Sequence, residues 1–341
     1  MLNKQIALVI LNWNGKKFLE QFLPNVILHS KAAQIIVADN SSTDDSVNFL
    51  KNNYPDIQII NNPSNDGFAK GYNDALKNVI ADYYILLNSD VEVTANWIEP
   101  IIELMESNLE IAACQPKILD FKNKSNFEYA GAAGGFIDKY GYPFCRGRIF
   151  NDLESDNKQY NNSTEVFWAT GACMFVRAKS FWEVGGFDND YFAHMEEIDL
   201  CWRLKNIGFK IFVEPQSTVY HVGGGTLNKI NPKKTYLNFR NNLITLVKNS
   251  DSKFLFFKVI YRMILDGVAA YKFLFEGNGG HFIAVAKAHF AFYFSLPATL
   301  KKRSIMKHKK GFAYTNSSIF QDNIVYLHFI KGVKKYSDLK L

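Results

Sequence analysis

Along the first quarter of the chain two hydrophobic periods alternate. Continuous apolar runs rich in β-branched residues lie at 6–11, 34–38, 57–60 and 83–87, the pattern of strands buried on both faces. Between the first two, Phe18, Leu19, Phe22, Leu23 and Val26 recur at helical spacing. The polar cluster 40–46 opens a second helix with ready N-cap residues, and a third helix is predicted over 68–79. Strand-helix alternation predicts a mainly parallel sheet with right-handed crossovers, an α/β fold.

Each apolar run stops abruptly at polar residues: Asn12 and Asn14, Asp39, and Asn88-Ser89-Asp90. In a parallel sheet these stops share one edge, the carboxyl edge, where ligands of open α/β sheets bind. Carboxylate oxygens there suit a hard cation such as Mg²⁺ or Mn²⁺, and such a cation suits a diphosphate. An ordinary Asx turn explains any one of these stops equally well; their shared edge points to a site.

The stretches Leu11-Asn12-Trp13-Asn14-Gly15, Val37-Ala38-Asp39-Asn40-Ser41-Ser42-Thr43-Asp44, Asn65-Asp66-Gly67-Phe68-Ala69-Lys70-Gly71-Tyr72-Asn73 and Leu86-Leu87-Asn88-Ser89-Asp90 occur in that order. They are followed by Gly171-Ala172-Cys173-Met174, Gly185-Gly186-Phe187-Asp188, Met195-Glu196-Glu197-Ile198-Asp199-Leu200-Cys201-Trp202-Arg203 and His221-Val222-Gly223-Gly224-Gly225. Together these motifs resemble the inverting GT-A glycosyltransferases of family 2, in particular their rhamnosyltransferase-like bacterial branch. The resemblance covers roughly the first two-thirds of the chain. It implies a Rossmann-like GT-A domain over 1–225 and a helical appendage over 226–341.

The resemblance also implies roles. Asn12, Asn14, Asp39, Gly67, Gly71, Asn73, Asn88 and Asp90 would bind a nucleotide diphospho-sugar, linked to uridine or thymidine diphosphate. Asp90 and His221 would hold Mg²⁺ or Mn²⁺, with Gly223, Gly224 and Gly225 allowing a loop to close on the diphosphate. Asn88 stands where many relatives carry Asp, which leaves one charged ligand instead of two. Glu197 occupies the position of the catalytic base, one methylene longer than the usual Asp, and Asp199 supports it, pairing with Arg203 four residues on. Trp168, Gly171 and Ala172 are an acceptor surface or, equally, plain core. One sugar would pass to a lipid-linked or glycan acceptor in cell-surface polysaccharide assembly.

Composition changes this picture in three places. Half of the chain is apolar, 48%, and 21% is charged, which describes a globular protein. Cys114, Cys145, Cys173 and Cys201 form no paired or zinc-like spacing, so free thiols in a reducing cytosol are expected. Residues 120–165 are punctuated by Gly and Asn and read as loops and short hairpins, either carrying specificity or simply exposed.

Charge is uneven. From residue 251 onward there are 15 Lys/Arg against 5 Asp/Glu, while the preceding 250 residues hold 24 against 28. Aromatic helical stretches in this tail adjoin Lys301-Lys302-Arg303 and Lys307-His308-Lys309-Lys310. The longest uncharged run, 288–300, is shorter than the roughly 20 residues that spanning requires. Peripheral attachment to an anionic cytoplasmic membrane face is expected, with an ordinary helical subdomain as the competing reading.

Other classes fit less well. A sugar nucleotidyltransferase needs a glycine-rich phosphate loop after the first strand, where this chain has Asn12-Trp13-Asn14-Gly15. A processive synthase would carry a Gln-x-x-Arg-Trp motif, which does not occur. A non-catalytic nucleotide-sugar-binding or membrane scaffold protein needs no acidic cluster around Glu197. Nucleic acid is not expected as a partner, since the basic tail contains no recognisable module.

The tail reading predicts co-sedimentation with anionic liposomes at low ionic strength and release at high salt, because exposed charge is screened over roughly a Debye length. A protein indifferent to such liposomes at low salt rejects it.

Overall fold

The computed structural model describes residues 4–223, 231–251, 253–315 and 317–339. The chain runs through β1 (Ile6–Asn12), α1 (Lys16–His29), β2 (Gln34–Asp39), α2 (Ser46–Asn53), β3 (Gln58–Asn61), α3 (Phe68–Leu76), β4 (Tyr83–Asn88), β5 (Val91–Val93), α4 (Glu99–Ser107) and β6 (Ile111–Asp120). Four short strands follow: β7 (Gly135–Asp138), β8 (Pro143–Cys145), β9 (Arg148–Ile149) and β10 (Asp152–Leu153). Then come β11 (Thr164–Val166), β12 (Cys173–Arg177), α5 (Ala178–Glu183), α6 (Glu196–Lys205) and β13 (Lys210–His221). The tail forms α7 (Pro232–Asn249), α8 (Leu255–Phe275), α9 (Gly279–Lys307), β14 (Ile319–Phe320) and α10 (Ile324–Phe329).

The main sheet has the order β11-β13-β6-β12-β4-β1-β2-β3, with β5 paired to β13. Strands β1 to β4 are parallel neighbours, whereas β12 runs antiparallel between β4 and β6. The fold is therefore mixed α/β, with parallel pairing concentrated where the sequence predicted it. Alternate residues of each strand enter two cores. Leu8, Ile10, Ile85 and Leu87 pack with α1, α2 and α4; Ala7, Val9, Tyr84 and Leu86 pack with α3, α6 and α7. Both faces of the sheet are covered, which is why its strands carry unbroken apolar runs.

The predicted third helix ends at Leu76, three residues early; Val79 stays buried in the turn that follows. Residues 120–165 differ more. Their glycines punctuate a second, five-stranded sheet of order β10-β9-β8-β7-β14, and Phe136, Ile137, Phe144, Cys145 and Ile149 are buried in the main core. The exposed excursion is thus excluded. Its last strand, β14, arrives from the tail and pairs in parallel with β7; a two-residue strand leaves no periodicity to read.

The tail is not a separate appendage in packing terms. Leu243, Leu246, Val247, Phe292, Met306, Phe320 and Ile324 belong to the same core cluster as the sheet. Helix α7 starts at Pro232, capped by the Asn231 side chain, eight residues before the apolar spacing begins at Arg240 in sequence. Helix α9 continues through Lys287, His289 and Pro297 over 29 residues. By length and composition alone it is long and apolar enough to cross a membrane, which corrects the expectation drawn from uncharged runs.

Buried charge joins tail to body. Lys248 on α7 lies 2.6 Å from Asp188 and 2.7 Å from Asp199, and Lys302 on α9 pairs with Asp188 and, at 2.6 Å, with Asp190. Two lysines beside Asp188 outweigh its burial and hold its carboxyl well below the usual range.

Removing one partner of a buried pair strands the other, so Lys248→Met should destabilise the fold by about 3–5 kcal/mol. Lys272→Met, which breaks an exposed pair with Glu276, should cost under about 1 kcal/mol. Urea denaturation of the two variants distinguishes them; equal, small losses would show that the tail is held by apolar contacts alone.

Candidate active site

The carboxyl edge assembles as expected. Asn12 is in register with Asp39 across β1 and β2, and Leu11 with Asn88 across β1 and β4. Asp39 is buried and accepts from the Asn12 amide at 3.0 Å and from the Ser42 backbone N–H at 2.9 Å. Asn12 Oδ1 is buried without a partner. Asn14, exposed beside them, ties β1 to the 42–44 loop: its Oδ1 accepts from the backbone of Thr43 at 2.7 Å and of Asp44 at 3.2 Å. Asn88 donates its backbone N–H to Ala172, tying β4 to the Gly171-Ala172 turn.

Asp90, in the turn two residues after β4 ends, meets the last residue of β13. His221 Nε2 lies 3.2 Å from Asp90 Oδ1, and Nδ1 lies 3.4 Å from Glu128 Oε2 without a directed hydrogen bond. Burial disfavours the imidazolium, but Glu128 and Asp90 outweigh it and raise the His221 pKa to about 10. Glu128 was not legible in the sequence: it sits on an irregular stretch inside the Gly/Asn-rich segment, and only the fold brings it behind His221. Gly223 turns with φ of 68°, and a side chain there would meet Glu128 Oε1 at 2.8 Å. Gly224 and Gly225, expected to close over the diphosphate, lie outside the described residues.

The acidic cluster opens α6. Burial raises the Glu197 pKa to about 7 against the backbone N–H groups at the helix N-terminus that favour its charge. Burial and the neighbouring Glu197 push Glu196 up as well. One carboxylate oxygen of each, Oε2, is buried without a partner. The Glu197 Cβ stands beside Gly171, where an added side chain would lie 3.9 Å from it and 3.1 Å from the Phe68 ring. Two residues before the helix, His194 and Met195, have φ of 70° and 75°, a left-handed backbone that is costly without glycine. Asn241 of α7 holds this turn, donating to the carbonyls of Ala193 and His194.

The other expected site residues pack against protein. Gly67 and Gly71 lie tight against protein on the side where a Cβ would stand. A side chain at Gly67, φ 93°, would strike the Phe192 carbonyl at 2.1 Å, and one at Gly71 the Asn40 amide at 3.0 Å. Asn73 is buried and clamps the backbone of Phe187, donating to its carbonyl and accepting from its N–H. Trp168 is only 3% exposed; its indole donates to the Phe136 carbonyl and lies against Gly135, so it is core and presents no face to an acceptor. Asp199 is fully buried, with Arg203 Nε at 2.9 Å, the Asn249 amide at 2.8 Å and Lys248. It pairs with Arg203 as expected and ties α6 to α7.

The family model for glycosyl transferase family 2 matches residues 7–185, and the chain belongs to that family. It is a glycosyltransferase. Among similar proteins are an N-acetylglucosaminyl-diphospho-decaprenol L-rhamnosyltransferase of Mycobacterium tuberculosis, 26% identical over 63% of this chain and 75% of the relative, and the rhamnosyltransferase WbbL of Escherichia coli K12, 25% identical over 63% and 83%. The fold is the GT-A arrangement. A structure of GalNAc-T7 with UDP, GalNAc and Mn²⁺ matches with a TM-score of 0.58 at 16% identity, over 74% of this chain and 49% of that one. A Pyrobaculum calidifontis mannosyltransferase in complex with GDP-Man and Mn²⁺ matches with a TM-score of 0.52 at 11% identity, over 90% and 81%. The chain thus spans about half the length of the first of these structures.

The pair Asp90–His221 generates the metal test. Asp90→Ala should abolish Mn²⁺-dependent nucleotide binding by calorimetry while the thermal transition persists; binding that is unchanged with and without chelator rejects the assignment.

Proposed function

We propose that the protein transfers one sugar, with inversion, from a nucleotide diphospho-sugar to a lipid-linked acceptor in the assembly of a cell-surface polysaccharide. The observation that carries this reading is Glu197: a half-buried residue with one buried, unpartnered carboxylate oxygen and a pKa raised to about 7, beside the Gly171 turn at the carboxyl edge. A general base works best with a pKa near the operating pH. Asp39 and Asn12 supply an acceptor and an unpartnered amide oxygen for nucleoside donors.

The donor set fits a divalent cation as far as two ligands. Asp90 and His221 would hold it, and Glu128 behind Nδ1 is the kind of carboxylate that orients a metal-bound histidine. Among the described residues no group of three such side chains is arranged to hold a metal ion, so phosphate oxygens and water would complete the shell, as is usual for Mg²⁺. When bound, the cation offsets the charge of the departing diphosphate. This chain's own residues do the rest. Glu197 accepts the proton of the acceptor hydroxyl, and that oxygen attacks the anomeric carbon from the face opposite the diphosphate, so the configuration inverts.

The name of the Mycobacterium tuberculosis relative, an N-acetylglucosaminyl-diphospho-decaprenol L-rhamnosyltransferase, supports a lipid-linked diphosphate acceptor. Helix α8 supports a membrane location: Arg262 and Asp266 are buried, while Phe257, Ile264, Val268, Tyr271 and Phe275 are exposed. That is the reverse of a soluble amphipathic helix and suits a lipid interface. Deleting everything after Thr226 would also remove core, so salt release from liposomes tests this location more cleanly than truncation does.

Glu197→Gln should leave donor affinity intact and cut transfer by on the order of 10²–10⁴-fold. In the wild type, transfer should rise with pH through about 7 as Glu197 ionises. Its folded pKa lies above the unfolded value, so the native state holds the proton longer and loses stability as pH rises toward 7. Glu197→Gln removes that loss and should be more stable than wild type at pH 8, by roughly 1–3 kcal/mol. Transfer at wild-type rate, or a product that retains the donor's configuration, overturns the proposal. Inactivity confined to Glu196→Gln would move the base by one residue.

A further inference from the structure

Between α7 and α9 lies an open groove of about 560 Å³, within the range of small-molecule sites. Its walls are apolar, with Tyr236, Ile283, Phe290 and Phe294 among them, and it contains two lysines, Lys233 and Lys287, and no carboxylate. Among the described residues neither lysine is paired with an acid; Lys233 Nζ rests 4.4 Å from the centroid of the Phe192 ring. Apolar walls with two cations and no anion complement a molecule that is hydrocarbon along its length and anionic at its head.

Two other features adjoin the groove. Beside its Lys233 wall, Phe192, which that lysine touches, carries the carbonyl that accepts from Phe68 N–H at 2.6 Å, and the chain proceeds from Phe192 directly through the left-handed His194–Met195 turn to Glu196 and Glu197. At its outer end, Phe290 and Phe294 are 67% and 86% exposed, beside other exposed apolar residues of α9. From Gly280 to Phe294 the α9 wall is about 21 Å long at the helical rise of 1.5 Å per residue. The Thr235 hydroxyl and His281 Nδ1, 2.7 Å apart, link α7 to α9.

We propose that this groove seats the lipid carrier of the acceptor: an isoprenoid-type chain along Ile283, Phe290 and Phe294, with its phosphate between Lys233 and Lys287. The seating rests on the lipid-linked acceptor argued above and gives it a place. The carrier enters from the exposed aromatic end, and its phosphorylated head stops beside the loop that presents Glu197. The tail thereby selects acceptors by their anchor, while the sheet edge selects donors.

Farnesyl phosphate is the probe, titrated into the full-length protein, with inorganic phosphate and farnesol as separate arms. Wild type should bind farnesyl phosphate at least ten-fold more tightly than either fragment. Ala291→Trp, which fills the groove, and the double variant Lys233→Ala/Lys287→Ala should each weaken it at least ten-fold, with unchanged melting temperature. If Ala291→Trp melts early, the exposed change Ile283→Lys takes its place. Unchanged affinity in these variants, or inorganic phosphate binding as well as farnesyl phosphate, overturns the assignment. The readout is binding without transfer: a failure here leaves the Glu197→Gln result standing, and failure of that result leaves this one readable.

Discussion

Asp199 is the contact on which the rest depends. A carboxylate with no solvent exposure is tolerable only when its charge is matched, and here Arg203 from its own helix, and Lys248 and Asn249 from α7, match it. Those partners come from both sides of the junction between body and tail. The same lysine reaches Asp188, so the Gly-Gly-Phe-Asp turn, the acidic helix and the tail are fixed relative to one another by one set of buried charges. The orientation of α6, and with it of Glu197, follows from this set.

The site then works by contrast between neighbouring carboxylates. Asp199 is surrounded by cations and carries structure. Glu197 and Glu196, earlier in the same helix turn, have no cation beside them among the described residues, and burial pushes their protons on. Three acids within four residues thus divide into a positioning group and two proton-holding groups through environment alone. The left-handed His194–Met195 turn is part of the same arrangement, since it aims the helix start at the sheet edge and is held by the Asn241 amide from α7. The tail therefore takes part in building the catalytic edge.

Much was legible because it is local. Apolar runs ending in Asn or Asp mark strands and their polar ends, and the register of Asn12 with Asp39 follows once the strands are parallel. The ordered motifs identified the family, and the family model agrees over 7–185. Motif matching did not show which of these residues also serve packing. Asn73 resembles a ligand residue but clamps Phe187, and the glycines at 67 and 71 make room for protein backbone and side chain. A sequence shows that a residue is small or polar without showing which neighbour requires it.

The sequence by itself determined the parallel strands, their polar carboxyl edge and, through its ordered motifs, the family, because strand periodicity and short motifs are set by residues close along the chain. Only the tertiary structure decided that Glu128 backs His221, that Trp168 is core, that β14 completes the second sheet, and that α7 locks Asp199 in place. Each of these joins residues far apart in the chain, and each depends on burial. Whether a charge is paired or stranded, and whether an aromatic face meets solvent or glycine, is a property of what surrounds it, and those surroundings exist only once the chain has folded.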